Sequence, residues 1–433
     1  MENKKFAFTS TVQGYNHIKN NKVCEDASDF YDKGNIQICV VADGHGSDNY
    51  PRTYKGSKFA VDAAIKSIVE FVEIVDANQV LQDEKNGFSL LIQLSKSILN
   101  NWYDLIEKDY EKNPFSLDEL EPVSERYKRR YINENPLELR VEKAYGTTLV
   151  AFCQTEQYCF GLQIGDGKCA VFDKNCNFNE PIPDDENCQL NVTTSICDSD
   201  AIEEFRFYVS NELPLAVLCG TDGIDDSYAS KEELYSLYRG ILKVFADYDE
   251  ETGKKEIEEY LPLLTKRGSG DDVSIGIIVD SQRLKSISEL LNIQTQLSLK
   301  KYELAKREQS VLSFGERKNA LTNKMLKASK NNNPLTDLAK QIDDASEMQK
   351  NLDKEISDLL DQIDILEMKY NELINIDKKL DEEVKKIKPI VIENDTVEAD
   401  SIDEIKSDNV AEILDEDMSL DNENPHLKQN TIS

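Results

Sequence analysis

The chain has 433 residues, more than one compact core of ordinary size accommodates, so two or more structural units are expected. Its 83 acidic and 51 basic residues give a net charge of -32, which disfavours nucleic-acid and anionic membrane partners and favours cationic ligands such as metal ions. No stretch approaches the roughly 18 apolar residues of a membrane-spanning helix, and the opening MENKKFAFTS lacks the apolar segment of a signal peptide.

The cysteines indicate a reducing compartment. There are 9 of them, an odd number at irregular spacing, and no CxxC pair occurs, which argues against a zinc ribbon. Most lie in or beside apolar runs. We therefore expect reduced, mostly buried thiols and a cytoplasmic protein.

The first 280 residues predict a mixed unit of strands and helices. The β-rich runs are Phe6–Val12, Ile36–Ala42, Thr147–Phe152, Tyr158–Ile164, Lys168–Phe172, Leu215–Cys219 and Val273–Val279. Helical patterns lie at about 54–75, 87–109, 231–247 and 254–266. Because the strands come in clusters, an α+β layered fold is favoured over a doubly wound sheet. The polar stretch 111–143 has the character of an insertion or a mobile connection.

Residues 281–387 predict a coiled-coil helical region. A seven-residue apolar repeat occupies Leu338, Ala345, Leu352, Leu359, Leu366, Leu373, Leu380 and Ile387. A weaker repeat precedes it, and Asn331–Pro334 separates the two. The simplest arrangement is an antiparallel hairpin, and the alternative is pairing between two copies in a dimer. Residues 388–433 predict an acidic, disordered tail, either simply solvated or able to bind a partner.

Four aspartates flank four separate β-rich runs. Asp43, Asp166 and Asp222 each end a run and lead into glycine, and Asp271 lies just before another. A single Asp-Gly pair is more often a turn than a ligand. Four carboxylates at strand ends repel one another unless a cation binds between them, and clustered carboxylate oxygens suit Mg²⁺ or Mn²⁺.

The order and wording of these segments resemble the metal-dependent protein phosphatases, the type 2C serine/threonine family, in a version most similar to a bacterial subgroup. The matching segments are CEDAS at 24–28, VVADGHGS at 40–47, YGTTLVAF at 145–152, IGDGKCAVF at 164–172, GTDGID at 220–225 and SGDDVSIGIIV at 269–279. The resemblance covers about 1–280, a whole catalytic domain. It implies a β-sandwich flanked by helices, with metal ions at one end.

The resemblance also implies roles for individual residues. The carboxylate of Asp43 bridges two ions, Mn²⁺ or Mg²⁺, and the Gly44 carbonyl binds one of them. Asp222 and Asp271 bind the other, and Asp166 holds a weaker third ion. The pair Glu25 and Asp26 holds metal-bound waters. His45 is the general acid, and a water activated by both ions hydrolyses phosphoserine or phosphothreonine.

Two departures concern the site. The family's phosphate-gripping arginine, a few residues before the Glu-Asp pair, has no counterpart here, so His17, Lys19 and Lys22 become the candidates for binding phosphate. Asp272 replaces the family's usual asparagine, adding a charge that either tightens metal binding or faces solvent.

The resulting prediction is a phosphatase domain at 1–280, a coiled coil at 281–387 and the tail at 388–433. Its partners are phosphoprotein substrates, together with a protein partner or a second copy bound through 281–387. Two alternatives are a pseudophosphatase that binds metal or phosphoprotein, supported by the missing arginine, and an interaction protein dominated by its coiled coil. Loss of metal ligands would favour the first alternative, and none is lost. The second does not explain the strand-end aspartates.

Overall fold

The computed structural model of the protein describes residues 5–133, 135, 138–188, 193–330 and 336–392. Its strands are β1 (Lys5–Val12), β2 (Ala27–Lys33), β3 (Ile36–Ala42), β4 (Leu149–Gln154), β5 (Cys159–Ile164), β6 (Lys168–Phe172), β7 (Phe178–Asn179), β8 (Arg206–Ser210), β9 (Ala216–Gly220) and β10 (Val273–Asp280). Its helices are α1 (Tyr15–Lys19), α2 (Thr53–Ile74), α3 (Ala77–Val80), α4 (Glu84–Lys112), α5 (Leu117–Leu120), α6 (Glu125–Tyr131), α7 (Ala201–Glu204), α8 (Asp222–Asp225), α9 (Lys231–Asp247), α10 (Glu250–Arg267), α11 (Ser281–Ser286), α12 (Ser288–Lys330) and α13 (Thr336–Ile392).

In the part of the chain that is described, the strands form two antiparallel sheets. One has the order β1-β10-β9-β6-β7 and the other β2-β3-β4-β5-β8. Along β3, Ile38 and Val40 point to a helical layer, whereas Cys39 and Val41 point to the facing sheet. A strand buried on both faces reads as a continuous apolar run, as Ile36–Ala42 does.

The two sheets pack face to face, with helices covering both outer surfaces. Residues between the sheets include Cys39, Val41, Phe152, Cys169, Val217, Cys219 and Ile278. Helices α2 and α4 cover one sheet, where Trp102 of α4 is buried and donates its indole N–H to the Gly56 carbonyl at 3.0 Å. On the other side, Phe245 of α9 meets Phe6 of β1 with ring centroids 5.2 Å apart. The predicted α+β sandwich flanked by helices is confirmed.

Each predicted strand and helix of the first 280 residues is found within a few residues of its expected bounds. Strands β2, β7 and β8 were not predicted. β2 reads ASDFYDK, with polar residues on an edge strand that has no buried member, and β7 has only two residues. Short or polar edge strands carry little of the apolar pattern on which sequence-based assignment depends.

The prediction of a mobile connection at 111–143 is wrong for the described residues there. Leu120, Val123 and Tyr131 are buried against the core. Arg52 also binds this segment: its guanidinium donates to both carboxylate oxygens of Glu119, at 2.6 and 2.9 Å. The pairing with the buried Arg52 and the burial of these three side chains hold this polar segment in one position.

The helices α12 and α13 form an antiparallel hairpin. Lys301 pairs with Glu367 at 2.7 Å, and Arg307 pairs with Glu355 at 2.8 Å. The two helices therefore run in opposite directions. Ala345 and Leu359 of the predicted heptad repeat are buried, as is Ile363. This confirms the hairpin. The separating residues 331–335 lie outside the described ranges.

The base of the hairpin packs on the sandwich. Leu290, Leu291 and Leu297 are buried, and Arg239 of α9 donates to the Ser298 hydroxyl at 2.7 Å. Farther along, the Tyr370 hydroxyl donates to the Asn175 carbonyl at 2.5 Å. These contacts tie α12 to α9 and α13 to the turn between β6 and β7.

Contacts between Cα atoms divide the chain into a unit Met1–Glu372 and a unit Leu373–Ser433. Both sheets lie in the first unit. The second is described only up to residue 392, as helix, so the predicted disordered tail lies outside the described residues from 393 onward. Within the described ranges, no helix combines the length and the apolar character needed to cross a membrane.

Candidate metal centre

Strand register brings the strand-end aspartates to one edge of the sandwich. β3 and β5 both pair antiparallel with β4, so they run in the same direction and Asp43 and Asp166 follow their ends on the same side. In the other sheet Lys168 pairs with Gly220, which places Asp166 beside Asp222. Gly165, with φ +100°, makes the turn that leads to Asp166 in a conformation that other residues rarely adopt.

The backbone of Asp43 is held by the YGTT segment. The Asp43 amide donates to the Thr148 hydroxyl at 3.1 Å, and the Asp43 carbonyl accepts from the Thr148 amide at 2.8 Å and from the Thr147 hydroxyl at 2.6 Å. These bonds aim the carboxylate away from the sheet and into a cleft of about 760 Å³. Positioning the backbone of Asp43 is therefore the structural role of the two threonines in the YGTT segment.

The structure brings Asp43, Asp166 and Asp222 together. One carboxylate oxygen from each lies within 4.8 Å of the other two. Burial raises the pKa of Asp43 well above its usual value, and the nearby charges of Asp26 and Asp222 raise it further. Burial raises the pKa of Asp222 to about 6, with Asp166 as the next cause. Such mutual repulsion is relieved when a cation binds between the carboxylates.

The predicted acidic pair lies next to this cluster. Asp26 is buried, accepts a hydrogen bond from the Thr221 hydroxyl at 2.8 Å, and has its pKa raised to about 8, mainly by burial. Burial raises the pKa of Glu25 to about 7, although His17 and Lys22 act in the opposite direction. The Ser57 hydroxyl donates to the Glu25 carbonyl at 2.6 Å and so holds the pair against α2.

Asp271 lies in the same cleft but in a second group. One of its oxygens, a nitrogen of His17 and an oxygen of Asp272 lie within 4.8 Å of one another. The Asp271 side chain is 58% exposed, whereas that of Asp272 is 3% exposed. Asp271 therefore lies outside the tight cluster of Asp43, Asp166 and Asp222.

Asp272 organises the site and does not face solvent. Its two oxygens accept hydrogen bonds from the amides of Gly14 and Glu25, both at 2.6 Å. A carboxylate that accepts two backbone N–H groups is held in one position. This role was missed because the sequence shows only an acidic residue after Asp271; its burial depends on how α1 docks.

His45 lines the cleft beside Tyr50, with ring centroids 4.8 Å apart in an edge-to-face contact. Burial lowers the pKa of His45 to about 4, opposed by the charges of Asp198 and Asp166. At neutral pH the imidazole of the free protein is therefore uncharged. It still carries one N–H that can donate a hydrogen bond.

The phosphate candidates occupy different positions. His17 lines the cleft, and Lys22 donates its ammonium to the Gly46 carbonyl at 3.3 Å, at the cleft rim. Lys19, in the last turn of α1, is exposed. Gly44 also lines the cleft, packed so closely that a Cβ there would lie 2.5 Å from the Glu25 carbonyl oxygen.

The donor set fits hard divalent cations. Buried oxygens of Asp166 and Glu25 have no hydrogen-bond partner among the described residues. Leaving a buried carboxylate oxygen unpaired is costly, and a cation removes that cost. Asp226 lines the same cleft and was not predicted, although it follows the GTDGID segment directly. Oxygen-rich sites of this kind suit Mg²⁺ and Mn²⁺.

The chain is similar to known protein phosphatases. A sequence model of the family Protein phosphatase 2C matches residues 13–262. A search of curated proteins finds no match. Among solved structures, the serine/threonine phosphatase Stp1 from Staphylococcus aureus is 17% identical, with a TM-score of 0.40, over 63% of this chain and 94% of that one.

Two further solved structures are similar at the same level. PppA, a regulatory component of T6SS in Pseudomonas aeruginosa, is 15% identical with a TM-score of 0.37, over 64% of this chain and 97% of that one. The catalytic domain of the serine threonine protein phosphatase PstP, in complex with 2 manganese ions, is 12% identical with a TM-score of 0.37, over 64% and 99%.

The layered sandwich and its carboxylate cleft define a metal-dependent phosphatase. The family match spans more than half of the chain, and the chain belongs to the protein phosphatase 2C family. It is a metal-dependent hydrolase of the serine/threonine phosphatase type.

Proposed function

We propose that the protein hydrolyses phosphoserine and phosphothreonine in phosphoproteins by a mechanism that uses two divalent ions, Mn²⁺ or Mg²⁺, with a weaker third ion. The observation that carries this proposal is the convergence of Asp43, Asp166 and Asp222 within 4.8 Å at one edge of the sandwich. When bound, such ions would supply an activated water and neutralise the charge of the phosphoryl group.

The residues of the chain then have distinct tasks. Asp43, with the Gly44 carbonyl beside it, would help to hold both main ions, and Asp222 and Asp271 would help to hold one of them. Asp166 would hold the weaker ion. Glu25 and Asp26 accept hydrogen bonds from water in the cleft and orient it towards the phosphorus atom.

His45 is proposed to assist the departing serine or threonine oxygen. Its pKa of about 4 makes it neutral before substrate binds, so it acts through its N–H. A phosphate dianion in the cleft would raise this pKa, because a nearby negative charge favours the imidazolium. Proton donation to the leaving oxygen then becomes easier as substrate binds.

Lys22 is the best-placed residue to grip the phosphate. Its ammonium already lies at the cleft rim, 3.3 Å from the Gly46 carbonyl oxygen. Lys19 is too exposed to reach inward without rearrangement of α1, and His17 is surrounded by carboxylates. A lysine supplies charge without the two-pronged geometry of arginine, so phosphate binding is expected to be weaker than with an arginine.

The modular organisation is part of the proposal. Residues 1–280 carry catalysis, 281–387 form the helical region and 388–433 the acidic tail. The hairpin recruits a protein partner or a second copy, since exposed apolar side chains such as Leu312, Met348 and Met368 lie along it. A cytoplasmic location is proposed because the 9 cysteines are all free thiols in the structure.

The test is hydrolysis of a phosphothreonine peptide by the full-length protein, with Mn²⁺, with Mg²⁺ and with chelator. Activity should require metal and should fall by about a hundredfold or more in Asp43→Asn, because loss of the bridging ligand removes several kcal/mol of transition-state stabilisation. Asp104→Asn, on the exposed face of α4, is the matched control and should retain activity.

A folded, metal-loaded protein that leaves the peptide intact would contradict the proposal. It would instead indicate a protein that binds phosphoproteins without hydrolysing them. Mn²⁺ binding measured by calorimetry on the same sample separates that outcome from a simple failure to load the metal.

A further inference from the structure

The helix α1 is fastened to the turn before β10, and this fixes the ring of His17. Consecutive backbone amides donate to that region: Gly14 to Asp272 at 2.6 Å, Tyr15 to the Thr265 hydroxyl at 2.9 Å and Asn16 to the Gly270 carbonyl at 2.8 Å. The Lys22 amide also donates to the His17 carbonyl at 2.9 Å. The position of the imidazole is therefore set by the backbone on both sides.

Both nitrogens of this imidazole face carboxylates. Nδ1 lies 2.9 Å from Oδ2 of Asp272, without hydrogen-bond geometry. Nε2 lies 3.5 Å from Oδ1 of Asp271 and 3.8 Å from Oε2 of Glu25. The His17 side chain is only 12% exposed, and Oε2 of Glu25 is buried without a hydrogen-bond partner.

The two Nε2 distances are too long for hydrogen bonds, which in proteins span about 2.7–3.2 Å. They match the separation of ligands around one ion. Two atoms that each lie about 2.1 Å from a metal are about 3.0 Å apart at a right angle and about 3.8 Å apart at a wide angle. Nε2 and the Asp271 oxygen thus have the spacing of two ligands of one cation, and the unpartnered Glu25 oxygen lies 3.8 Å from the same nitrogen.

The neighbour on the other side of the ring is Asp272, one oxygen of which lies beside Nδ1. Asp272 accepts two backbone N–H groups, so its position is fixed. Histidines that bind metals in proteins commonly have such a carboxylate behind them.

We propose that Nε2 of His17, together with Asp271, is a ligand of the divalent metal centre and that this nitrogen makes the centre prefer Mn²⁺ to Mg²⁺. The inference rests on the proposed metal-dependent function and assigns His17 to the metal rather than to phosphate. Mg²⁺ binds oxygen ligands and seldom imidazole, whereas transition-metal ions accept imidazole readily.

Pulsed electron paramagnetic resonance of the full-length protein loaded with Mn²⁺ tests this directly. A directly bound imidazole nitrogen produces ¹⁴N modulation of the Mn²⁺ echo. The chain has 3 histidines, His17, His45 and His426. The modulation should be present in the wild type, in His45→Asn and in His426→Asn, and absent in His17→Asn.

Metal titrations give a second, independent measurement. His17→Asn should weaken Mn²⁺ binding by about tenfold or more and change Mg²⁺ binding by less than about threefold, since Mg²⁺ gains little from nitrogen. His426→Asn is the control. Equal losses for both metals would overturn the inference, because they would show a general disturbance of the site.

The wild-type spectrum decides the matter even if His17→Asn fails to fold. Bound Mn²⁺ and peptide hydrolysis without ¹⁴N modulation would overturn this inference alone and leave the proposed function standing. A wild-type protein that binds no Mn²⁺ would overturn both.

Discussion

At the scale of single residues, the carboxylates that line the cleft repel one another. Asp222 and Asp166 face each other beside Asp43, and burial raises the pKa of Asp222 to about 6. In the absence of metal, these like charges oppose folding. With metal bound, the same charges become ligands and stabilise the folded chain.

Asp222→Asn should therefore stabilise the metal-free protein while removing its response to metal. The melting temperature in chelator is expected to rise by about 2–4 °C, because one repulsive charge is lost. Added Mn²⁺ should raise the melting temperature of the wild type by several degrees and that of Asp222→Asn much less. Asp104→Asn should have the melting temperatures of the wild type in both conditions. If Asp222→Asn is less stable than the wild type in chelator, repulsion at Asp222 does not destabilise the metal-free protein.

A second group of residues shows charges that stabilise without metal. Burial acts to raise the pKa of Asp109, but hydrogen bonds from Tyr145 at 2.7 Å and Lys55 at 3.0 Å outweigh it and lower the pKa. Arg52, whose side chain is 3% exposed, also donates to Asp109 at 3.2 Å. A folded-state pKa below the unfolded value means stabilisation that is present above about pH 4 and lost as the pH falls through the folded pKa.

Asp109→Asn is accordingly expected to lower the free energy of unfolding by about 1–3 kcal/mol at pH 7, the range for hydrogen bonds to charged groups. The deficit should shrink as the pH falls below about 4, because the unfolded chain then takes up a proton at Asp109 before the folded chain does. Urea unfolding of the metal-free proteins at pH 7 and at pH 3.5 measures both values. If the loss of unfolding free energy in Asp109→Asn does not depend on pH, the charge of Asp109 is not what stabilises the folded protein.

At the scale of elements, the contact of α1 with the turn before β10 positions the metal-binding side chains. Gly14 has an ordinary backbone, with φ -58°, yet a Cβ there would lie 2.4 Å from the Asp271 carbonyl carbon. Glycine is therefore required for space and not for backbone conformation. In contrast, a Cβ on Gly240 in α9 would meet nothing within 4 Å.

The same substitution at these two glycines should have opposite effects. Gly14→Ala should cost about 1–3 kcal/mol of stability through overpacking and should weaken Mn²⁺ binding, since α1 must move away from Asp271 and Asp272. Gly240→Ala should add about 0.5–1 kcal/mol through helix propensity and leave Mn²⁺ binding unchanged. Urea unfolding and metal titration measure the pair. A Gly14→Ala protein with normal metal affinity would show that α1 does not position the centre.

At the scale of the whole molecule, the fold extends beyond the family match. The matched residues end at 262, yet Leu284 of α11 and Leu290, Leu291 and Leu297 of α12 are buried. The Tyr302 hydroxyl donates to Glu233 of α9, which strengthens the same contact. Each fully buried leucine contributes about 1.5–3 kcal/mol, so this contact is a substantial part of the stability.

Shortened chains should therefore differ in stability according to whether they keep this contact. A chain of residues 1–306 should melt within a few degrees of the full-length protein and should still bind Mn²⁺. A chain of residues 1–280 should melt at a clearly lower temperature or precipitate, because its α9 face loses its apolar cover. Calorimetry and size-exclusion chromatography compare them. Equal stability of the two chains would support a boundary at 280 and a fully modular hairpin.

Local sequence patterns predict many features of this protein. Continuous apolar runs such as Ile36–Ala42 predicted strands buried on both faces, and heptad spacing predicted the hairpin. The aspartates at strand ends predicted the acidic cleft, because chain position relative to a strand is a local property. These features follow from patterns that neighbouring residues carry.

Only the tertiary structure decided which of these residues meet. The burial of Asp272, the grouping of Asp271 with His17 and the packing of Tyr131 in a polar segment all depend on contacts between residues far apart in the chain. The hydrogen bond from Gly14 to Asp272 joins positions 258 residues apart. No local pattern encodes such a distance, because it results from how the whole chain closes around its core.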